Sequence, residues 1–161
     1  MAVTQQLRPA TPEDAPAIAA IWEPGWHDAH DGNVPDELVA ARDSSTSFRD
    51  RAAQRIGDAT VVEVDGEIAG FVILEADEIE QVYVSSAHRG AGVADALMAD
   101  AEARIRAGGH ARAWLAVVGG NLRARRFYER RGWTDDGPFE HLAPGPDGPI
   151  TVPAHRYIKD L

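Results

Sequence analysis

The segment Ser85-Ser86-Ala87-His88-Arg89-Gly90-Ala91-Gly92-Val93-Ala94 has the make-up of an anion cradle. Gly90 and Gly92 lack a Cβ, so the main chain can approach a ligand closely. A helix beginning just beyond them would offer free amides and the positive end of its dipole to a phosphate group. Arg89 adds a charge-assisted donor. A tight turn would explain the same glycines, so known phosphate loops are the useful comparison. A Walker A loop ends in Gly-Lys-Ser/Thr where this chain has Gly92-Val93-Ala94, and kinase or ATPase chemistry fails there for want of its metal and phosphate ligands. A dinucleotide fingerprint would place Gly or Ala where Asp95 stands and would open the domain, whereas this loop follows the middle of the chain.

The elements that must hold this loop follow from periodicity and turn chemistry. A first strand is expected over 3–8. Thr11-Pro12-Glu13-Asp14 supplies a capping hydroxyl, a proline at the first helical position and two acids in the first turn, so a helix starts at Pro12. Its apolar face runs through Ala15, Ile18 and Trp22, and Pro24-Gly25 is expected to stop it. Further helices are predicted over 35–42 and 46–56, the latter with Phe48, Ala52 and Ile56 on one face. Strands over 59–64 and 67–74 flank Asp65-Gly66, a two-residue hairpin signal. A third strand over 78–85 extends the meander. Strict alternation would send Ile79, Gln81, Tyr83 and Ser85 to one face and Glu80, Val82 and Val84 to the other.

A helix over 91–107, capped by Gly108-Gly109, precedes a strand over 112–118. Asn121 is a good N-cap for the next helix, which carries Phe127 and Tyr128 and ends at Gly132. Strands near 133–142 and 150–158, joined by a Pro/Gly-rich loop, complete the order β, helices, βββ, α, β, α, ββ. That order specifies an α/β (α+β) fold. It is one domain over 1–161, with a mixed, mostly antiparallel sheet of about seven strands and about four helices. The strand over 78–85, the helix and the strand over 112–118 form a right-handed parallel crossover.

Composition narrows the chemistry. The 161 residues are 44% hydrophobic, enough for one core. Cysteine is absent, which excludes disulfides, thiolate metal sites and an acyl-cysteine intermediate. Sixteen Lys plus Arg against 26 Asp plus Glu give a net charge of -10, so no nucleic-acid partner is expected and a cationic one is. No apolar run reaches the roughly 18 residues of a membrane span, and Met1 to Pro9 lacks an apolar signal core, so no membrane role and a cytoplasmic location are expected.

Two motifs then act together. Arg89-x-x-Gly92-x-Ala94 follows a Val/Tyr strand, and Asn121-x-x-Ala124-x-x-Phe127-Tyr128-Glu129-x-x-Gly132-Trp133 follows the next one. In this order, on these elements, the chain resembles the GNAT superfamily of acyl-CoA-dependent N-acetyltransferases across nearly its whole length. The resemblance implies acetyl-CoA as donor, bound where the two central parallel strands splay apart, with no metal. Amides of Arg89, Gly90, Ala91, Gly92, Val93 and Ala94 would hold its pyrophosphate. Main-chain groups of Val82, Tyr83 and Val84 would pair with the pantetheine arm. Asn121 would meet that arm or only cap its helix, and Arg125 would reach the ADP portion or only face solvent.

The same resemblance implies direct transfer to an amine. Such an amine is protonated at neutral pH and must lose a proton, for which Glu80 is the expected base, the alternative being an ion pair with an arginine. Tyr128 would donate a proton to the departing thiolate, the alternative being a plain core residue. On the acceptor side, Trp26, His30 and Glu80 are expected to line the pocket. The acidic residues Asp28, Asp31, Asp36, Glu37 and Asp43 around them favour a small cationic amine or a peptide N-terminus. A homodimer is the family-based expectation. Two other readings stay open: a non-catalytic acyl-CoA-binding protein on the same scaffold, and a nicotinamide-dependent oxidoreductase.

Overall fold

Residues 4–43 and 45–161 are described by the computed structural model; Val3, where the first strand was expected to begin, lies outside them. Seven strands form one sheet: β1 (Gln5–Pro9), β2 (Ala59–Val64), β3 (Glu67–Glu75), β4 (Glu78–Val84), β5 (Arg112–Val117), β6 (Thr134–Ala143) and β7 (Ile150–Asp160). Their order is β1-β2-β3-β4-β5-β7-β6. Every neighbouring pair is antiparallel except β4 and β5. The β2–β3 hairpin turns on Asp65 and Gly66 with φ of 51° and 84°, the positive angles such a turn needs.

Each face of the sheet buries its own apolar cluster. On one, α1 (Ala15–His30), α2 (Asp36–Arg42) and α3 (Ser45–Gln54) bring Ile18, Trp22, Leu38 and Phe48 onto Val61, Phe71 and Ile73. On the other, α4 (Val93–Ala107) and α5 (Leu122–Arg130) bring Leu97, Met98, Ile105 and Tyr128 onto Val62, Val72, Leu115 and Tyr157. Adjacent residues such as Val61 and Val62 serve opposite clusters, as the two-residue period of a strand requires.

Two expectations are corrected. Helix α1 does not stop at Pro24-Gly25 but continues to His30. An interior proline costs about 3 kcal/mol, yet the turns beyond it bury Trp26, and burial of a large apolar side chain returns about 1.5–3 kcal/mol alongside the packing of its neighbours. Gly25 serves close approach here: a Cβ at this position would lie 2.6 Å from the Tyr83 ring. Strict alternation also fails in β4. Ile73 is opposite Gln81 but Leu74 is opposite Ile79, leaving Glu80 as the extra residue of a bulge. Ile79, Val82 and Val84 therefore all pack toward α4, and Glu80 does not share their face.

The Gly25–Tyr83 contact is testable. Gly25→Ala is expected to destabilise the protein by about 1–3 kcal/mol, the usual cost of overpacking, with a lowered denaturation midpoint in urea. Unchanged stability would mean that α1 and Tyr83 are not in contact.

Candidate active site

β4 and β5 are joined at one register position, Glu78 opposite Trp114, with the Trp114 N–H donating to the Asp77 carbonyl at 3.1 Å. Beyond that point no further pairing joins them, so a gap opens toward their C-terminal ends. The direction of the β4 main chain follows from its other edge. Ser85 donates its N–H to Ala69 of β3 at 2.7 Å, so by alternation the N–H and C=O of Val84 and Val82 face the gap. The bulge at Glu80 keeps those two valines in this phase.

The loop above the gap runs from a single 3-10 turn at Ser86–His88 to the start of α4 at Val93. Gly90 and Gly92 have φ of 81° and 78°, and a Cβ built on either would meet nothing within 4 Å. Among the described residues, the N–H groups of Arg89, Gly90, Ala91 and Gly92 have no hydrogen-bond acceptor, and those of Val93 and Ala94 are orphans of the first helical turn. The loop is thus a concave row of free donors, not a turn filled by its own side chains. Among the described residues, exposed Arg89 reaches only Asp28, at 3.5 Å.

Helix α5 borders the gap from the other side. Asn121 caps it by accepting the Ala124 N–H at 3.3 Å, which leaves its side-chain NH2 free. Tyr128 is 9% exposed, and burial raises its phenol to about 12. Its hydroxyl has no hydrogen-bond partner among the described residues, yet it is not one of the fully enclosed polar atoms. Tyr83 is half-buried, and its ionisation is opposed by burial first and by the nearby Tyr128 second. Arg125 is a correction. It donates to the Tyr157 hydroxyl at 3.1 Å, the Gly119 carbonyl at 2.9 Å and Asp135 at 3.1 Å, so all three of its nitrogens are engaged in tying α5 to β6 and β7.

The face of the sheet below α1–α3 carries a second group of polar side chains. Arg55 donates to Glu80 at 2.6 Å and to Glu75 at 3.0 Å. Trp26 is 4% exposed and belongs to the core, its ring stacked on His30 at 4.4 Å, so the expected Trp26 pocket wall is also corrected. The His30 Nδ1 meets the Trp26 carbonyl oxygen at 2.8 Å, and burial lowers this imidazole to about 4. Burial likewise lowers Arg51, whose guanidinium lies over the Trp22 ring. The five acidic residues of the N-terminal helices, Asp28, Asp31, Asp36, Glu37 and Asp43, are all exposed. No group of three or more potential metal ligands occurs among the described residues.

A sequence model of the acetyltransferase (GNAT) family matches residues 17–133, most of the chain and both motif segments. The chain belongs to this family. Solved structures agree in fold. A GCN5-related N-acetyltransferase from Rhodopseudomonas palustris is 23% identical, with a TM-score of 0.76 over 100% of this chain and 99% of that one. The PaiA N-acetyltransferase of Thermoplasma acidophilum, solved with coenzyme A, is 15% identical, with a TM-score of 0.72 over 98% and 99%. YncA of Salmonella typhimurium, solved with acetyl-CoA, is 18% identical, with a TM-score of 0.70 over 98% and 94%. A search of curated protein sequences returns no significant match.

This GNAT protein is therefore an acetyl-CoA-dependent acetyltransferase, and the nicotinamide reading is set aside along with the non-catalytic one. The gap and the free-amide loop suit a diphosphate on an extended amide-bearing arm. One residue escaped the sequence reading: Glu78. It flanks Ile79 on the side away from α4, as Glu80 does, at the base of the gap. Burial first, then the charges of Glu80, Glu75 and Asp77, raise its carboxyl to about 7, while Arg156 of β7 pulls the other way. Spacing alone could not separate the two glutamates, because only the tertiary contact with Arg55 commits Glu80 and leaves Glu78 without an ion-pair partner among the described residues.

A carboxyl raised in the folded state adds stability that is complete below its unfolded value near 4.5 and is lost as pH rises through about 7. Glu78→Gln, neutral at every pH, is therefore expected to gain stability over the parent above pH 7 and to gain little below 4.5, as read by thermal unfolding across pH. A parallel shift at all pH values would refute the assignment.

Proposed function

We propose that this acetyltransferase moves the acetyl group of acetyl-CoA directly onto a primary amine of a small molecule or peptide, with no acyl-enzyme stage. The observation that carries this reading is the inward-facing, unpaired edge of β4 beneath a loop of uncommitted amides. Acetyl-CoA supplies a thioester whose carbonyl becomes an oxyanion when the amine attacks. The N–H groups from Arg89 to Ala94 hold the diphosphate, and the Val82 and Val84 main chain aligns the pantetheine arm. The Val82 N–H also donates to the developing oxyanion.

Proton traffic falls to two side chains on opposite sides of the gap. Glu78 takes the proton of the incoming ammonium, directly or through water, because a carboxyl near 7 is half ionised at working pH and still basic enough to accept. Glu80 is held by Arg55, and its charge contributes to raising Glu78. Tyr128, kept neutral by burial, gives its proton to the departing thiolate and takes in return the second proton that the amine nitrogen sheds as the amide forms. The absence of cysteine agrees with transfer in a single ternary complex.

Release of free CoA thiol from acetyl-CoA, followed over a panel of primary amines, tests this reading. Tyr128→Phe is expected to lower kcat by about 10²-fold with the acetyl-CoA KM little changed. Glu78→Gln should flatten the rise of kcat/KM with pH through about 7. Full turnover in Tyr128→Phe, or an unaltered pH profile in Glu78→Gln, would remove that residue from its role.

A further inference from the structure

In the half of the sheet formed by β5, β6 and β7, one cationic side chain of β7 has no partner for its charge among the described residues. Arg156 lies opposite Ala116 in the β5–β7 register, two residues beyond the Glu78–Trp114 joint, at the level where the gap opens. Its guanidinium stacks on Trp114, 4.3 Å from the ring centroid, and lies 5.0 Å from that of Phe139. Trp114 is itself pinned, its indole N–H donating to Asp77 at 3.1 Å. The cation therefore rests against two rings set at 78° to each other, contacts that leave its N–H donors uncommitted. Among the described residues, Arg156 makes no hydrogen bond or ion pair, although its charge is felt at Glu78.

Resting on the amine-acetylation reading, we propose that the acceptor also bears a carboxylate, as an amino acid does, and that Arg156 receives it edge-on. A stacked guanidinium with uncommitted N–H donors is matched by the two oxygens of a carboxylate, and stacking has already removed much of the rotamer freedom that binding would cost. The ammonium of the same molecule then lies toward Glu78 and the gap. The acceptor is thus read as a zwitterion, its positive end facing Glu78 and its negative end facing Arg156. The exposed acids of α1 and α2 lie outside this arrangement. Room for the rest of the acceptor adjoins the stack: Phe139 also lines an open cavity of about 400 Å³ with Pro138, Pro153 and Ala154.

The test compares amino acids with their own amides, which keep the amine and remove the negative charge, by CoA thiol release. The amide's amine is the less basic, so intrinsic reactivity favours the amide, and a preference for the acid reports recognition. At least one amino acid is expected to exceed its amide by about tenfold or more in kcat/KM, the worth of one charged hydrogen-bonded contact. Arg156→Gln should collapse that ratio toward one, mainly through the KM of the acid, and Arg156→Lys should restore part of it. A structural role for Arg156 would lower acid and amide alike and leave the ratio intact, which overturns the proposal. Amides or simple amines used as well as the acids by the parent enzyme would overturn it too, while leaving amine acetylation standing. No thiol release with any amine would bring down the amine reading itself, and this inference with it.

Discussion

A parallel pair of strands held at a single point is an unusual thing to place in the middle of a sheet. Buried main-chain N–H and C=O groups are almost always paired, because leaving one without a partner costs about 1–3 kcal/mol. In this protein the Glu78–Trp114 joint keeps β4 and β5 together at one end only. The β4 edge above it resembles a sheet edge turned inward, where the main-chain groups of Val82 and Val84 have no strand partner among the described residues. Under the proposed function, an extended ligand carrying its own amides adds the hydrogen bonds that the fold leaves unmade there. The loop before α4, the α5 phenol and the carboxyl at the joint are all arranged around this divergence.

The bulge at Glu80 sets the division of labour around the gap. With one extra residue in β4, Val82 and Val84 turn their side chains to α4 and their main chain to the gap, while Gln81 and Tyr83 turn to the N-terminal helices. Gly25 then lets α1 lie directly on the Tyr83 ring, so the floor of the acceptor side is fixed by a helix that runs straight through a proline. The gap thereby separates two chemical environments. A phenol and a row of amides face one side, and a cluster of carboxylates and guanidinium groups faces the other.

Electrostatics on the acceptor side follow from unequal pairing of like groups. Arg55 pairs with Glu80 and Glu75, but its single charge does not cancel both, so they still add to the desolvation that raises Glu78, which has no such partner among the described residues. Arg156 is close enough to moderate that effect and too far away to form an ion pair. Glu78 thus owes its raised proton affinity to its surroundings and not to its chemistry.

Much of the framework was legible in residue order. β-branched runs, Asp65-Gly66, the Asn121 cap and the glycines before α4 are local signals, since each depends on neighbours a few residues away in the chain. They sufficed for the seven strands, the central crossover and the helices that begin after Gly92 and Asn121. What escaped the reading depends on partners distant in sequence. Burial decided that α1 passes Pro24 and that Trp26 is core. The pairing of β3 with β4 created the bulge, and Arg55, 25 residues before Glu80, determined which glutamate stays unpaired. Sequence alone therefore determined the scaffold and the free-amide loop at the start of α4, because helix caps, turns and strand periods are short-range. Only the tertiary structure decided the acceptor side, because a side chain's charge state and accessibility depend on what folds against it.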